Sequence, residues 1–166
     1  MGVRTHKTIE QVCSLIFLIG NKQGSTEGRL ATVILLDQLA RGAFRGSPQA
    51  FAGDEVALET ARAAYAAGDD TKLTVAERSF LLLPLMHSES LPDQEACLKK
   101  ANALAADAPD VGQMAYGVNF AQSHMDVISR FGRFPHRNRA KGRQTTDEEA
   151  AWLASDACPV WAKSQN

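Results

Sequence analysis

Residues 74–107, TVAERSFLLLPLMHSESLPDQEACLKKANALAAD, decide the fold. Thr74 followed by Glu77 has capping-box spacing, in which each side chain satisfies the other's backbone N–H, so a helix starts at 75 and runs to 86. Pro84 stands near its end, where the missing N–H and the ring should kink or stop it. Pro92 suits the first turn of the next helix, 91–107, because a first-turn N–H has no partner within the helix to lose. Two helices joined by so few residues make a hairpin.

Working outward, the pattern recurs. Toward the N-terminus, Leu30, Val33, Ile34, Leu36 and Ala40 form a broad apolar face over 27–41, and Asp37 with Arg41 is an i,i+4 ion pair. Gly42 to Pro48 breaks that helix. A helix over 49–67 carries Phe51, Val56, Leu58 and Tyr65 and stops at Gly68-Asp69-Asp70. Toward the C-terminus, Pro109 and Gly112 precede a helix over 112–131, with Gly132 as its C-cap and Pro135 beyond. Thr145 or Thr146 caps a last short helix, answered by Glu148 or Glu149. Nothing from 25 to 166 alternates as a strand does. Residues 1–24 stay open: Ile9, Val12, Cys13, Ile16 and Ile19 have helical spacing, yet the β-branched content also allows a strand. The expectation is one all-α domain over 1–166, built of stacked antiparallel helical hairpins that bury these one-sided faces.

Composition removes several function classes. The 166 residues are 45% hydrophobic and carry 18 basic against 19 acidic groups, so no general basic face for nucleic acid is expected. No apolar run is long enough for a transmembrane helix. VCSLIFLI (12–19) follows Arg4 and Lys7, but Glu10 and Gln11 interrupt the approach and no small-residue cleavage site follows, so export is not expected. Cys13, Cys97 and Cys158 are odd in number and lack C-x-x-C spacing, which suits thiols in a reducing cytoplasm. GNKQGST (20–26) is no phosphate loop, because Ser25 stands in the lysine place and the spacing is one short.

The segments that carry chemistry lie elsewhere. RFGRFPHRNRAKGR (130–143) holds Arg130, Arg133, Arg137, Arg139, Lys141 and Arg143 with no acid, although the whole chain is near neutral. Guanidinium forks bind carboxylate or phosphate through paired hydrogen bonds, so this run reads as an anion site; alternatively its arginines pair with acidic helices. PLMHSESLPDQ (84–94) gathers His87, Glu89 and Asp93 at a helix end, where a histidine beside a carboxylate can act as a base. No metal-ligand spacing is present, and no metal or cofactor is assigned. Asp37 and Gln38 interrupt an apolar helix and face either a cleft or solvent. His124 shares a face with Phe120, Ile128 and Phe131, which fits a hydrogen-bonded core histidine as well as a catalytic one.

Four stretches in this order, LATVILLDQLARGAFRG (30–46), SPQAFAGD (47–54), ERSFLLLPLMHSESLPDQE (77–95) and HMDVISRFGRFPHRNRAKGRQTTDEEAAWLA (124–154), resemble the bacterial domain of unknown function 924 family. The resemblance covers about residues 30–155. It implies a tetratricopeptide-repeat-like helical fold and marks motif residues, but it supplies no activity. Gly42 replaces the asparagine usual after the Asp-Gln pair, and Lys141 replaces an aliphatic residue. Residues 1–29 show no counterpart of the family's tryptophan- and phenylalanine-rich opening segment.

The expected site is one polar cleft that holds a small phosphorylated or carboxylated ligand. Asp37, Gln38, Arg41, Arg45, Arg130, Arg133, His136, Arg137, Asn138 and Arg143 are its candidate binding residues. His87 and His124 are the candidate bases, oriented by Glu89. The alternative is a helical interaction module whose polar motifs are structural or clamp a peptide carboxylate.

Overall fold

The computed structural model describes residues 24–108 and 112–163, and every regular element among them is helical. The chain opens with α1 (Thr26–Val33), capped by the Ser25 hydroxyl on the Gly28 N–H. Without leaving the helix axis it passes through a π-helical segment, Ile34–Leu39, into α2 (Ala40–Ala43). The expected helix over 27–41 is therefore present, but its middle is wound with i→i+5 bonds, as in Ala40 N–H to Leu35 O.

The helix expected over 49–67 is split. Pro48–Phe51 is a 3-10 turn, and α3 (Asp54–Ala66) starts only after Gly53. At the split the chain runs close against the π segment. A Cβ on Gly53 would lie 2.9 Å from Leu36 Cβ and 3.0 Å from Leu36 O, so the start of α3 can press on the π segment only through a glycine. Gly53→Ala is expected to lower stability by about 1–3 kcal/mol in urea unfolding, as overpacking does. Gly42→Ala, with no atom within 4 Å of the new methyl, is expected to be neutral or better.

After a 3-10 turn at Asp69–Lys72 come α4 (Val75–Met86), α5 (Leu91–Asp107) and α6 (Gly112–Phe131), with the bounds the sequence pattern gives. The Thr74–Glu77 capping box is formed. Pro84 does not stop α4, which runs two residues further to Met86; with so little helix beyond the ring, the lost N–H falls in the last turn. A 3-10 turn at Pro135–Arg137 leads to α7 (Asp147–Ala154), capped by Thr146 with Glu149 answering. A final turn, α8 (Val160–Lys163), was not foreseen. The N-terminal helix-or-strand question lies outside the described residues.

Two cores result. α4, α5 and α6 enclose Leu82, Leu85, Met86, Cys97, Ala101, Leu104 and Ala121, while Val33, Ala61, Ala64 and Leu81 join α1, α3 and α4 beside them. The small residues Ala57, Ala61 and Ala64 let α3 sit close to its neighbours. The second core lies at the other end of α6, where Val127 and Ile128 meet Phe134, Trp152, Cys158 and Ala162. Gly132, at φ 67, turns the chain out of α6 between them, a left-handed conformation that suits glycine. No helix among the described residues is long and apolar enough to cross a membrane.

Candidate functional site

The site is built where the π segment, the end of α4 and the 3-10 turn at Pro135–Arg137 converge. His87 is the C-cap of α4. The buried Gln94 amide fixes the turn behind it by donating to Met86 O and Ser88 O, each at 2.7 Å. Arg137 Nη1 donates to His87 O at 2.9 Å and so ties the same turn to the arginine run. The His87 ring then meets Asp37: Nδ1 lies 2.8 Å from Oδ1 and 3.0 Å from Oδ2.

Asp37 has no solvent exposure at all. The choice between cleft and solvent is thus settled toward the interior. Gln38 Nε2 donates to Asp37 Oδ2 at 2.6 Å, and Arg41 Nη2 stands 3.3 Å from Oδ1. Burial opposes ionisation of Asp37, but the His87 ring, Arg41 and the Gln38 amide outweigh it and hold the carboxyl well below the ordinary range. Burial pushes His87 downward; Asp37 resists, while Arg41 and Arg137 add to the depression. The ring is therefore neutral at pH 7, Nδ1 carries the proton donated to Asp37, and the charge partner of the carboxylate is Arg41.

Around this pair opens a cleft of about 430 Å³. Gln38, Arg41, Arg45, His87 and His136 line it, together with Phe51 and Arg139. Asp54 accepts from Arg41 Nη1 at 2.7 Å and lies 3.5 Å from Arg137 Nη1, so one carboxylate spans two guanidiniums. Both guanidiniums also lie over the Phe51 ring, at 5.3 and 5.1 Å. Three arginines (Arg41, Arg45 and Arg139) line the cleft and no carboxylate does, while Asp37 and Asp54 pair with Arg41 behind the wall, so positive charge is in excess on its surface. His136 is 5% exposed, and burial together with Arg137 pushes it down to about 3. Its Nδ1, with Arg41 Nη2, Arg137 Nε and Asp54 Oδ2, is buried and makes no hydrogen bond.

The other expected site residues are placed elsewhere. Glu89 does not orient His87. It accepts from Arg143 at 2.7 and 3.0 Å and from the Phe134 N–H at 2.9 Å. Against the effect of burial, those donors hold its carboxyl at about 2. Asp37 takes the orienting place because the π segment carries it under the α4 end, whereas Glu89 follows the turn toward Phe134. Arg133 forks onto buried Glu149 at 2.6 and 2.8 Å, and Asn138 Nδ2 joins the same carboxylate at 3.0 Å. Arg130 pairs on the surface with Glu148. These contacts fasten the arginine run to α7 and do not line the cleft.

His124 is 4% exposed, bonds Phe120 O through Nδ1 at 2.8 Å and stacks on Trp161 with centroids 3.7 Å apart. Burial and the neighbouring His87 push it down to about 3, so it forms a neutral wall 5.9 Å behind the His87 ring. Sequence reasoning missed Phe51 and Asp54, although both lie in the SPQAFAGD stretch, and Arg139, which was one cation among six in its run. Among the described residues no group of three or more His, Cys, Asp or Glu is arranged to hold a metal ion.

The fold and site together define an all-helical scaffold with a buried Asp-His pair beneath an arginine-lined cleft. The chain belongs to the family described as bacterial protein of unknown function (DUF924), whose sequence model matches residues 4–157. That match takes in most of the segment before residue 30, where the motif resemblance found no counterpart, so the N-terminal boundary of the resemblance is corrected. A solved structure described as a protein of unknown function, ATU0120 from Agrobacterium tumefaciens, is similar at 29% identity with a TM-score of 0.72. The similarity covers 93% of this chain and 85% of that one. Comparison with curated proteins gave no match.

Proposed function

We propose that the protein binds a small anionic molecule, phosphorylated or carboxylated, in the cleft between the π segment and the Pro135–Arg137 turn. The observation that carries the reading is the wall chemistry: Arg41, Arg45 and Arg139 line the cleft and no carboxylate does. Buried, unpaired Cys97 and Cys158 accord with a cytoplasmic setting.

Arg45 and Arg139 are the residues on which to test it. Both are exposed and make no ion pair among the described residues, so neither holds the fold. Inorganic phosphate, pyrophosphate and citrate are the probes. At about a hundred times Kd a ligand adds about 2.7 kcal/mol of stability. For a chain of this size that is a rise in Tm of about 5–10 °C. In Arg45→Ala and Arg139→Ala the affinity should fall about tenfold or more, as charged hydrogen bonds are worth about 1.5–3 kcal/mol. Equal melting shifts in wild type and in the double variant would reject the reading.

A further inference from the structure

We propose that the cleft is catalytic: His87, held through Nδ1 by Asp37, is the base that accepts a proton at Nε2 during hydrolysis of an ester bearing an anionic group. This rests on the anion-binding reading and adds the chemistry done there.

The geometry argues for a reactive ring. Both carboxylate oxygens of Asp37 face Nδ1, which fixes the tautomer with its proton on that nitrogen and leaves the lone pair on Nε2. Nε2 makes no hydrogen bond to the described residues, while the ring lines the open cleft. A histidine serving only as core would have both nitrogens occupied or sealed, as His124 has its ring sealed by Trp161. Asp37 cannot swing away, since Gln38 and Arg41 hold it from two sides. The His87 backbone is pinned by Arg137. The surrounding guanidiniums favour the neutral ring at rest, and the buried carboxylate stabilises the imidazolium once the proton arrives. That is the role an orienting carboxylate plays behind a general base.

The step balances with water alone. The water oxygen bonds to the phosphorus or carbonyl carbon as one of its protons passes to Nε2. The bond to the leaving oxygen breaks with its electron pair, and the proton on Nε2 moves to that oxygen. One acid and one alcohol leave, and His87 returns neutral.

Carbethoxylation of the full chain by diethyl pyrocarbonate, read at each histidine by peptide mass spectrometry, tests the reactive ring. His87 should react faster than His124 and His136 of the same chain, and about tenfold faster than in Asp37→Asn, the equivalent of one pK unit. Inorganic phosphate at about ten times its Kd should slow it about tenfold by occupancy. The comparison among histidines uses wild type only, so it decides even if Asp37→Asn folds poorly. A His87 no faster than His124 and His136, in protein that phosphate still stabilises, overturns the catalytic inference and leaves anion binding standing. A fast His87 that phosphate does not protect overturns the anion reading beneath it. Esters then separate the two substrate sources: 4-nitrophenyl phosphate against 4-nitrophenyl hemisuccinate. Release of 4-nitrophenolate that disappears in His87→Gln supports the inference and names the class; release at an unchanged rate in that variant overturns it.

Discussion

Asp37→Ala is expected to remove about 3–5 kcal/mol of folding stability, the cost of breaking a buried ion pair by deleting one partner. The carboxylate is wholly buried and has three neighbours: the His87 ring, the Gln38 amide and the Arg41 guanidinium. Alanine leaves the His87 N–H facing a cavity and Arg41 with only Asp54 and Ala50 O. Urea unfolding of wild type and variant measures the difference. Arg130→Ala is the control: its pair with Glu148 is half exposed on both sides, and its loss should cost under about 1 kcal/mol. If the two variants lost equal stability, Asp37 would not be the keystone of this corner.

Acid should destabilise the fold in two stages. His124 and His136 are pushed down to about 3 from an ordinary 6.5. Between those values the unfolded chain binds protons that the folded chain refuses, so stability is full above pH 6.5 and falls as pH drops toward 3. Each histidine contributes a slope of about 1.4 kcal/mol per pH unit in that window. Glu89 and Glu149, held at about 2 against an ordinary 4.5, add a second loss as pH falls from 4.5 toward 2. The urea midpoint should therefore begin to fall below pH 6.5 and fall more steeply below 4.5. His124→Gln should lower the first slope by one histidine's share, about 1.4 kcal/mol per pH unit, and leave the second. A midpoint that stays flat from pH 7 to 5 would mean that these two rings are charged, or exposed, in the native protein.

The parts of the fold that were legible in the sequence are those set by local rules. α4, α5 and α6 fall where caps, prolines and apolar spacing put them, and both capping boxes are formed. The π winding left no such mark, because Leu30, Val33, Ile34 and Leu36 fit an α period equally well. α8 is a single turn after Pro159, too short for any periodicity, yet its Trp161 decides the surroundings of His124. The site was legible as a set of residue types and not as pairings. Asp37 and His87 lie 50 positions apart, and nothing local links them. The arginine run reads as one basic patch, but it leaves α6 at Gly132 and turns through Pro135–Arg137, so successive side chains go different ways. Glu148, Glu149 and Glu89 claim Arg130, Arg133 and Arg143, and of the remaining arginines Arg139 faces the cleft.

The π segment also bears on how chain length and position relate in this corner. An i→i+5 ring encloses one residue more than an α-turn, so Ile34–Leu39 holds a residue that an α-helix of the same rise would not need. The surplus is absorbed inside the segment, and the helix on either side keeps its facing. A chain lacking one residue there could wind as continuous α and still present the same side chains to α3 and α4. Its numbering would be offset by one on the far side of the deletion. When relatives are aligned, the gap belongs inside a helix here, against the usual practice of moving gaps into loops. Moving it to the loop after Ala43 would pair Asp37 and Arg41 with the wrong residues.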